Sequence, residues 1–181
     1  VGYLALEDQN VADANNVAVG YNAGLNLTSG TDSVYVGYQA GGVGVITGDY
    51  NVCIGKSAGA NGVGFSSSVF IGHNAGGTGA LAGAANVAVG DGAGTDLVAG
   101  YNNVLIGGDA GANLTDNNDN IAIGKSALDA ANTGEHQNIA IGTNTLGAET
   151  SGADGCVAIG HHALLAQNRA ESGNTAVGFE A

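Results

Sequence analysis

The sequence of 181 residues predicts an all-β fold: a β-solenoid or β-roll of about eleven rungs, each 17–18 residues long, joined through parallel ladders. Three observations predict it. A Val/Ile-Gly step recurs throughout, aliphatic residues alternate ahead of that glycine, and 34 glycines accompany a hydrophobic fraction of 44%. Glycine this frequent is typical of fibrous or disordered chains, but so many apolar residues indicate a folded core, which repeats supply by stacking.

The recurring glycine defines the repeat. Successive copies are separated by 17 or 18 residues, and positions within a repeat are counted here from this anchor glycine. So regular a spacing over the whole chain predicts one repeat array, residues 1–181, that is a segment of a longer fibre. The anchors are Gly2, Gly20, Gly37, Gly55, Gly72, Gly90, Gly107, Gly124, Gly142, Gly160 and Gly178.

The residues before each anchor predict a short strand. Positions −3 and −1 are aliphatic, position −2 varies, and position −4 is Asn or Ser in most copies. This alternation is typical of a strand with one buried face, so we expect −3 and −1 to face a core and −2 to point elsewhere. Ile123→Asp should then disrupt stacking. The predicted core rows are Val17, Val19, Val34, Val36, Val52, Ile54, Val69, Ile71, Val87, Val89, Val104, Ile106, Ile121, Ile123, Ile139, Ile141, Val157 and Ile159.

The residues after each anchor predict a tight corner. Position +3 is a small residue, with Thr145 as an exception, and the anchor glycine should supply a backbone angle or a close approach that a Cβ would forbid. Positions +1 and +2 are mostly polar and should be exposed. The corner alanines are Ala5, Ala23, Ala40, Ala58, Ala75, Ala93, Ala110, Ala127, Ala163 and Ala181.

The rest of each repeat predicts a weaker second strand and a loop. It carries about one further apolar residue, such as Leu27, Ile46, Phe65, Leu81, Val98 or Leu114. Ten intervals at the strand spacing predict a rod of roughly 48 Å. No repeat resembles a polar cap, so we expect flanking repeats or another chain to cover the ends.

Composition excludes several partners. The net charge is −13, and the only basic residues are Lys56, Lys125 and Arg169. Nucleic acid binding requires clustered basic residues, so no nucleic acid partner is expected. No stretch approaches 18 apolar residues, so no membrane insertion is expected.

Cysteine and histidine placement predicts no reactive site. Cys53 and Cys156 lie six repeats apart, roughly 29 Å at the strand spacing, which rules out a bridge between them. The adjacent His161 and His162 should point apart in an extended corner. No metal ligand, catalytic residue or cofactor is predicted, although calcium remains open because acidic residues are common in corners and loops.

Two kinds of surface feature are candidates for glycan chemistry. Asn26 and Asn113 begin Asn-Leu-Thr sequons at the same repeat phase and are candidates for glycan attachment. Tyr21 and Tyr38 occupy the exposed +1 corner, where aromatic rings beside Asn and Gln can stack on sugars, so they are candidate ligand contacts.

The best-formed copies are similar to known repeats. Asn86-Val87-Ala88-Val89-Gly90 and the segment from Asn120 to Leu128 resemble the Asn-x-Ala-Ile-Gly-x-x-Ala repeats in heads of trimeric autotransporter adhesins, and the longer-period repeats of phage tail fibres. The resemblance implies three chains forming parallel β-rolls around a common axis, with the −1 and −3 aliphatics packed inward. It also implies attachment or a spacer role at a cell surface or virion.

The predicted function is therefore a structural or adhesive rod, outside the cell, whose partner is itself, as a homotrimer or filament, with a cell-surface glycan or receptor as a further candidate. A self-assembling extracellular filament of stacked solenoids is the alternative. A carbohydrate-active solenoid enzyme is the third reading. It needs paired carboxylates in a cleft, for which repeats of constant length leave no room.

Overall fold

The computed structural model describes residues 1–9, 14–77, 79–129, 134–147, 154–165 and 172–181. These residues form ten three-residue strands and no helix, so none of them belongs to a helix that could cross a membrane. The strands are β1 (Val17–Val19), β2 (Val34–Val36), β3 (Val52–Ile54), β4 (Val69–Ile71), β5 (Val87–Val89), β6 (Val104–Ile106), β7 (Ile121–Ile123), β8 (Ile139–Ile141), β9 (Val157–Ile159) and β10 (Thr175–Val177).

The ten strands form one parallel sheet in sequence order, which confirms the predicted solenoid. Each strand pairs with the same positions of the next, as Ala122 does with Ala140. The strands occupy positions −3 to −1, as predicted. Ten of the eleven anchors follow a strand, and the exception is Gly2, the first anchor in the chain. Nine intervals between neighbouring strands span roughly 43 Å.

The predicted facing of the strands is wrong. In every strand the −2 residue is the most buried of the three, and the residues at −3 and −1 are half-buried or exposed. The −2 side chains enter the solenoid interior: Ala18, Tyr35, Cys53, Phe70, Ala88, Leu105, Ala122, Ala140 and Ala158.

The correction applies to every residue predicted to line the core. On the outer face of the coil lie Val17, Val19, Val34, Val36, Val52, Ile54, Val69, Ile71, Val87, Val89, Val104, Ile106, Ile121, Ile123, Ile139, Ile141, Val157 and Ile159. The alternation was identified correctly, but its phase is reversed. The coil is so narrow that its interior takes one strand side chain per rung, and that residue varies with the space left by the loop arm.

The anchor glycines form the inner corner as predicted. From Gly20 to Gly160 their φ angles lie between 131° and 143°, a region that residues with a Cβ rarely adopt. A Cβ on Gly124 would lie 2.5 Å from the carbonyl oxygen of Gly142 on the next rung. The alanine at +3 is buried from Ala23 to Ala163, whereas Ala5 is half-buried and Ala181 is exposed. Thr145 takes the same position in its rung and donates its hydroxyl to the Gly160 carbonyl oxygen at 2.6 Å.

Interior volume is shared between positions −2 and +4 of a rung. Where −2 is large, +4 is glycine: a Cβ on Gly76 would lie 2.8 Å from the Phe70 ring, and one on Gly111 would lie 2.7 Å from Leu105. Where −2 is alanine, position +4 is a buried leucine in the rungs of Ala122 and Ala140, but it is glycine in the rungs of Ala18 and Ala88. A Cβ on Gly94 would lie 2.9 Å from Leu105 of the next rung, so a large −2 residue also fills space beside its neighbour.

A polar ladder lies in the interior beside the strands at position −4. Its buried members are Ser33, Asn51, Ser68, Asn86, Asn103, Asn120 and Asn138. The Asn103 backbone N–H donates to Oδ1 of Asn86 at 3.0 Å, and the Asn103 amide donates to the Asn117 carbonyl oxygen of its own loop at 2.7 Å. Each asparagine thus satisfies a backbone donor on the next rung and fastens the loop arm of its own rung, which pins register.

The loop arm does not form a regular second strand. Its one β-bridge among the described residues joins Leu27 and Ile46. Leu27, Ile46, Phe65, Leu81 and Leu114 fill the interior as expected. Val98 does not, because the fully buried residue of that arm is its neighbour Leu97, and Val98 is 37% exposed.

Candidate functional site

The outer face of the sheet is an aliphatic stripe, made of positions −3 and −1 of strands β1 to β10. Nineteen of these twenty positions are Val or Ile, and Thr175 is the exception. Val17 is 51% exposed near one end and Ile106 is 38% exposed near the middle. Over ten rungs the stripe exposes on the order of 1,000 Å², more than the few hundred Å² usual for an apolar patch on a monomer.

The geometry of the stripe is fixed by the ladder behind it. Parallel pairing repeats the same two side chains at every rung, and the buried asparagines hold the rungs in register. No ionisable residue occupies a stripe position, so the excess negative charge of the chain lies elsewhere on the surface. The arrangement gives two uncharged rows of branched side chains along the whole sheet.

A second candidate feature is a stack of tyrosines at the +1 corner. The rings of Tyr21 and Tyr38 lie 5.3 Å apart at an angle of 8°, and Tyr3 extends the stack at 5.4 Å from Tyr21. The structure thus brings together the two predicted ligand contacts and adds a third tyrosine. Tyr21 and Tyr38 each expose nearly half of their surface, so the stack presents an aromatic edge to solvent.

The two sequon asparagines already have partners in the fold. The Asn26 amide donates to the Val43 carbonyl oxygen at 2.9 Å, and the Asn113 amide donates to the carbonyl oxygen of Asp129. Both bonds join one rung to the next. A glycan would replace one of the two N–H groups of the amide and leave the other to donate, so glycan attachment at Asn26 and Asn113 stays a prediction.

The adjacent histidines do not point apart, contrary to expectation. The rings of His161 and His162 stack with centroids 3.7 Å apart, and Phe179 stacks on the other side of His161 at 5.1 Å. His162 has a φ of 57°, so the backbone turns there and the alternation of an extended chain does not apply. Glu180, one rung further on, joins the two histidines.

A shallow groove of about 380 Å³ lies over the loop side of later rungs. Its polar side chains are used in bonding between rungs: Nδ1 of His136 accepts from the Asn118 N–H at 3.0 Å, and Asp154 accepts from the His136 N–H at 2.7 Å. These side chains therefore join the loop arms of neighbouring rungs to each other. The groove is lined by Tyr101, Asn118, Asp119, His136, Gln137 and Asp154.

The cysteines are packing residues. Both Cys53 and Cys156 are buried free thiols, in agreement with the exclusion of a bridge between them. Burial raises the pKa of the Cys53 thiol, and burial likewise raises the pKa of the Tyr35 hydroxyl beside it. A thiol held in its neutral form is a poor nucleophile.

The fold and its surfaces define a β-solenoid, a repeat protein built by stacking one short strand and one corner per rung. Comparison of the chain with family models, curated proteins and solved structures finds no match.

Proposed function

We propose that the chain is a structural rod segment of an extracellular fibre at a cell surface or virion, which assembles with copies of itself through the aliphatic stripe. The stripe is the single observation that carries the proposal. Three chains around a common axis is the arrangement implied by the resemblance to trimeric adhesin heads, and it would turn three stripes toward one shared core.

A second copy fits the stripe better than an unrelated partner. Parallel copies in register place each rung against the same rung, so two rows that repeat at every rung can match the same rows of another copy along the sheet. The area of on the order of 1,000 Å² per chain matches the roughly 800 Å² per partner of a stable interface. The absence of charge from the stripe keeps the acidic surfaces of the copies out of the contact.

The mass in solution tests this assembly. We expect light scattering to give three times the chain mass of 17.4 kDa. Ile141→Asp, at a −1 position of the stripe, should reduce the mass to that of one chain because it buries a carboxylate in an apolar contact. Thr143→Asp adds the same charge two residues later, at an exposed corner, and should leave the mass unchanged.

Other outcomes would separate the alternatives. A mass that grows with concentration in both variants would indicate the end-to-end filament. A single-chain mass for the unaltered protein would contradict assembly through the stripe.

The tyrosine stack favours attachment as a second role. The stacked rings of Tyr3, Tyr21 and Tyr38 cover one another's faces and present a row of aromatic edges to solvent, and we propose a glycan as the ligand of this row. On a glycan array the unaltered chain should bind, and Tyr21→Ala, which interrupts the middle of the stack, should abolish binding. Tyr101→Ala removes an equally exposed tyrosine elsewhere and serves as the control. Equal binding by both variants would exclude the stack as the contact.

A further inference from the structure

We propose that His161, His162 and Glu180 form a binding site for zinc or a similar divalent transition metal. Their ligand atoms, one from each residue, all lie within 4.8 Å of one another, a grouping found once among the described residues. Two imidazole nitrogens and one carboxylate are ligands that zinc prefers, whereas calcium takes oxygen ligands. The site is independent of the proposed assembly.

The fold brings the three side chains together across two rungs. His161 and His162 occupy positions +1 and +2 of one corner, and Glu180 occupies +2 of the next corner. His162 and Glu180 share the left-handed backbone, with φ values of 57° and 51°, so stacking of the rungs sets Glu180 over His162. The ring of Phe179 packs against His161 and restricts its rotation.

The distances fit a metal after small side-chain rotations. Ligand atoms about 2.1 Å from a tetrahedral zinc ion are separated by roughly 3.4 Å, so pairs now within 4.8 Å need to close by little more than an ångström. All three side chains remain accessible to solvent, which provides an entry path. Three protein ligands leave a fourth position for water.

Asn144 supplies the supporting contact that metal-binding histidines usually have. Its amide nitrogen lies 3.0 Å from Nε2 of His162. With the amide group rotated by half a turn, its oxygen would accept the Nε2 proton and leave Nδ1 of His162 to bind the metal. Asn144 stands at position +2 of the preceding rung, so one corner row provides this supporting residue and two of the three ligands.

Other histidines are less suited to the role. His73 is paired with Asp91 at 2.8 Å, which gives two ligands rather than three. His136 already uses Nδ1 to accept a backbone N–H. His73 lies in the same corner row five rungs away, so it is a matched control for nonspecific binding by exposed imidazole.

Titration with Zn²⁺ against a chromophoric indicator tests the proposal. The unaltered chain should bind one ion, and His162→Gln or Glu180→Gln should weaken the affinity roughly tenfold or more, whereas His73→Gln should not change it. Co²⁺ in the same site should give the intense visible absorption of four-coordinate cobalt, and His162→Gln should remove it. Circular dichroism checks that each variant is folded.

Two results would overturn the site. One is a failure of the unaltered chain to bind Zn²⁺ at one ion per chain. The other is an equal affinity in the site variants and in His73→Gln, which would show that Zn²⁺ binds to exposed histidines and carboxylates in general.

Discussion

At the residue scale, the anchor glycines occupy positions of the repeat that cannot accept a Cβ. From Gly2 to Gly160, each combines a φ that side chains disfavour with a carbonyl oxygen of the next rung close to the place of its Cβ. The positive φ and the close carbonyl oxygen therefore both exclude a Cβ at this position, and rotation of a side chain relieves neither of them.

Adjacent glycines in one corner allow this to be measured. A Cβ on Gly107 would lie 2.5 Å from the Gly124 carbonyl oxygen, whereas a Cβ on Gly108 would meet only the Asp91 carbonyl oxygen at 3.9 Å. Gly107→Ala should lower the free energy of unfolding by about 3 kcal/mol because it forces the rungs apart and strains the backbone. Gly108→Ala should change it by less than about 0.5 kcal/mol. Urea denaturation measures both, and equal effects would contradict the corner geometry.

At the scale of the element, the sequence predicted where each strand lies but not which way it faces. The anchors give period and register directly, because only glycine accepts the positive φ and the close approach at this position. The predicted direction of the strand side chains is wrong because uniform Val and Ile at −3 and −1 have the pattern of a buried face, although in this chain they form the outer face. The interior is instead shared between −2 and +4, so its residues vary: Phe70 lies beside Gly76, and Ala122 beside Leu128.

How much of each candidate site can be predicted from the sequence depends on whether its residues share one position of the repeat. Tyr21 and Tyr38 share one position of the repeat, so stacking of rungs brings them together, as the sequence allows. The grouping of His161 with His162 was missed because the turn at His162 depends on its φ of 57°. Glu180 could have been found from its repeat phase alone, since it lies one rung beyond His162 at the same position +2.

At the scale of the whole molecule, one parallel sheet has two faces with different properties. The interior face packs the −2 side chains against corner and loop-arm residues, and a polar ladder beside it holds the register. The outer face is aliphatic over all ten strands, with Thr175 as the exception. The apolar stripe would be covered by association with other chains, which is the physical basis of the proposed assembly.

Thiol accessibility tests whether the −2 side chains lie inside the coil and the stripe lies on its outer face, because a reagent reaches only thiols that are not covered. Ala122→Cys places a thiol at position −2, where Cys53 already lies buried, and Ile123→Cys places one in the stripe. In the assembled protein both thiols should resist a maleimide reagent. In the Ile141→Asp background, where the chains are separated, Ile123→Cys should react quickly and Ala122→Cys should stay protected. If Ala122→Cys reacted rapidly and Ile123→Cys were protected in the separated chain, position −2 would lie outside the coil and position −1 inside it, which would contradict the facing described above.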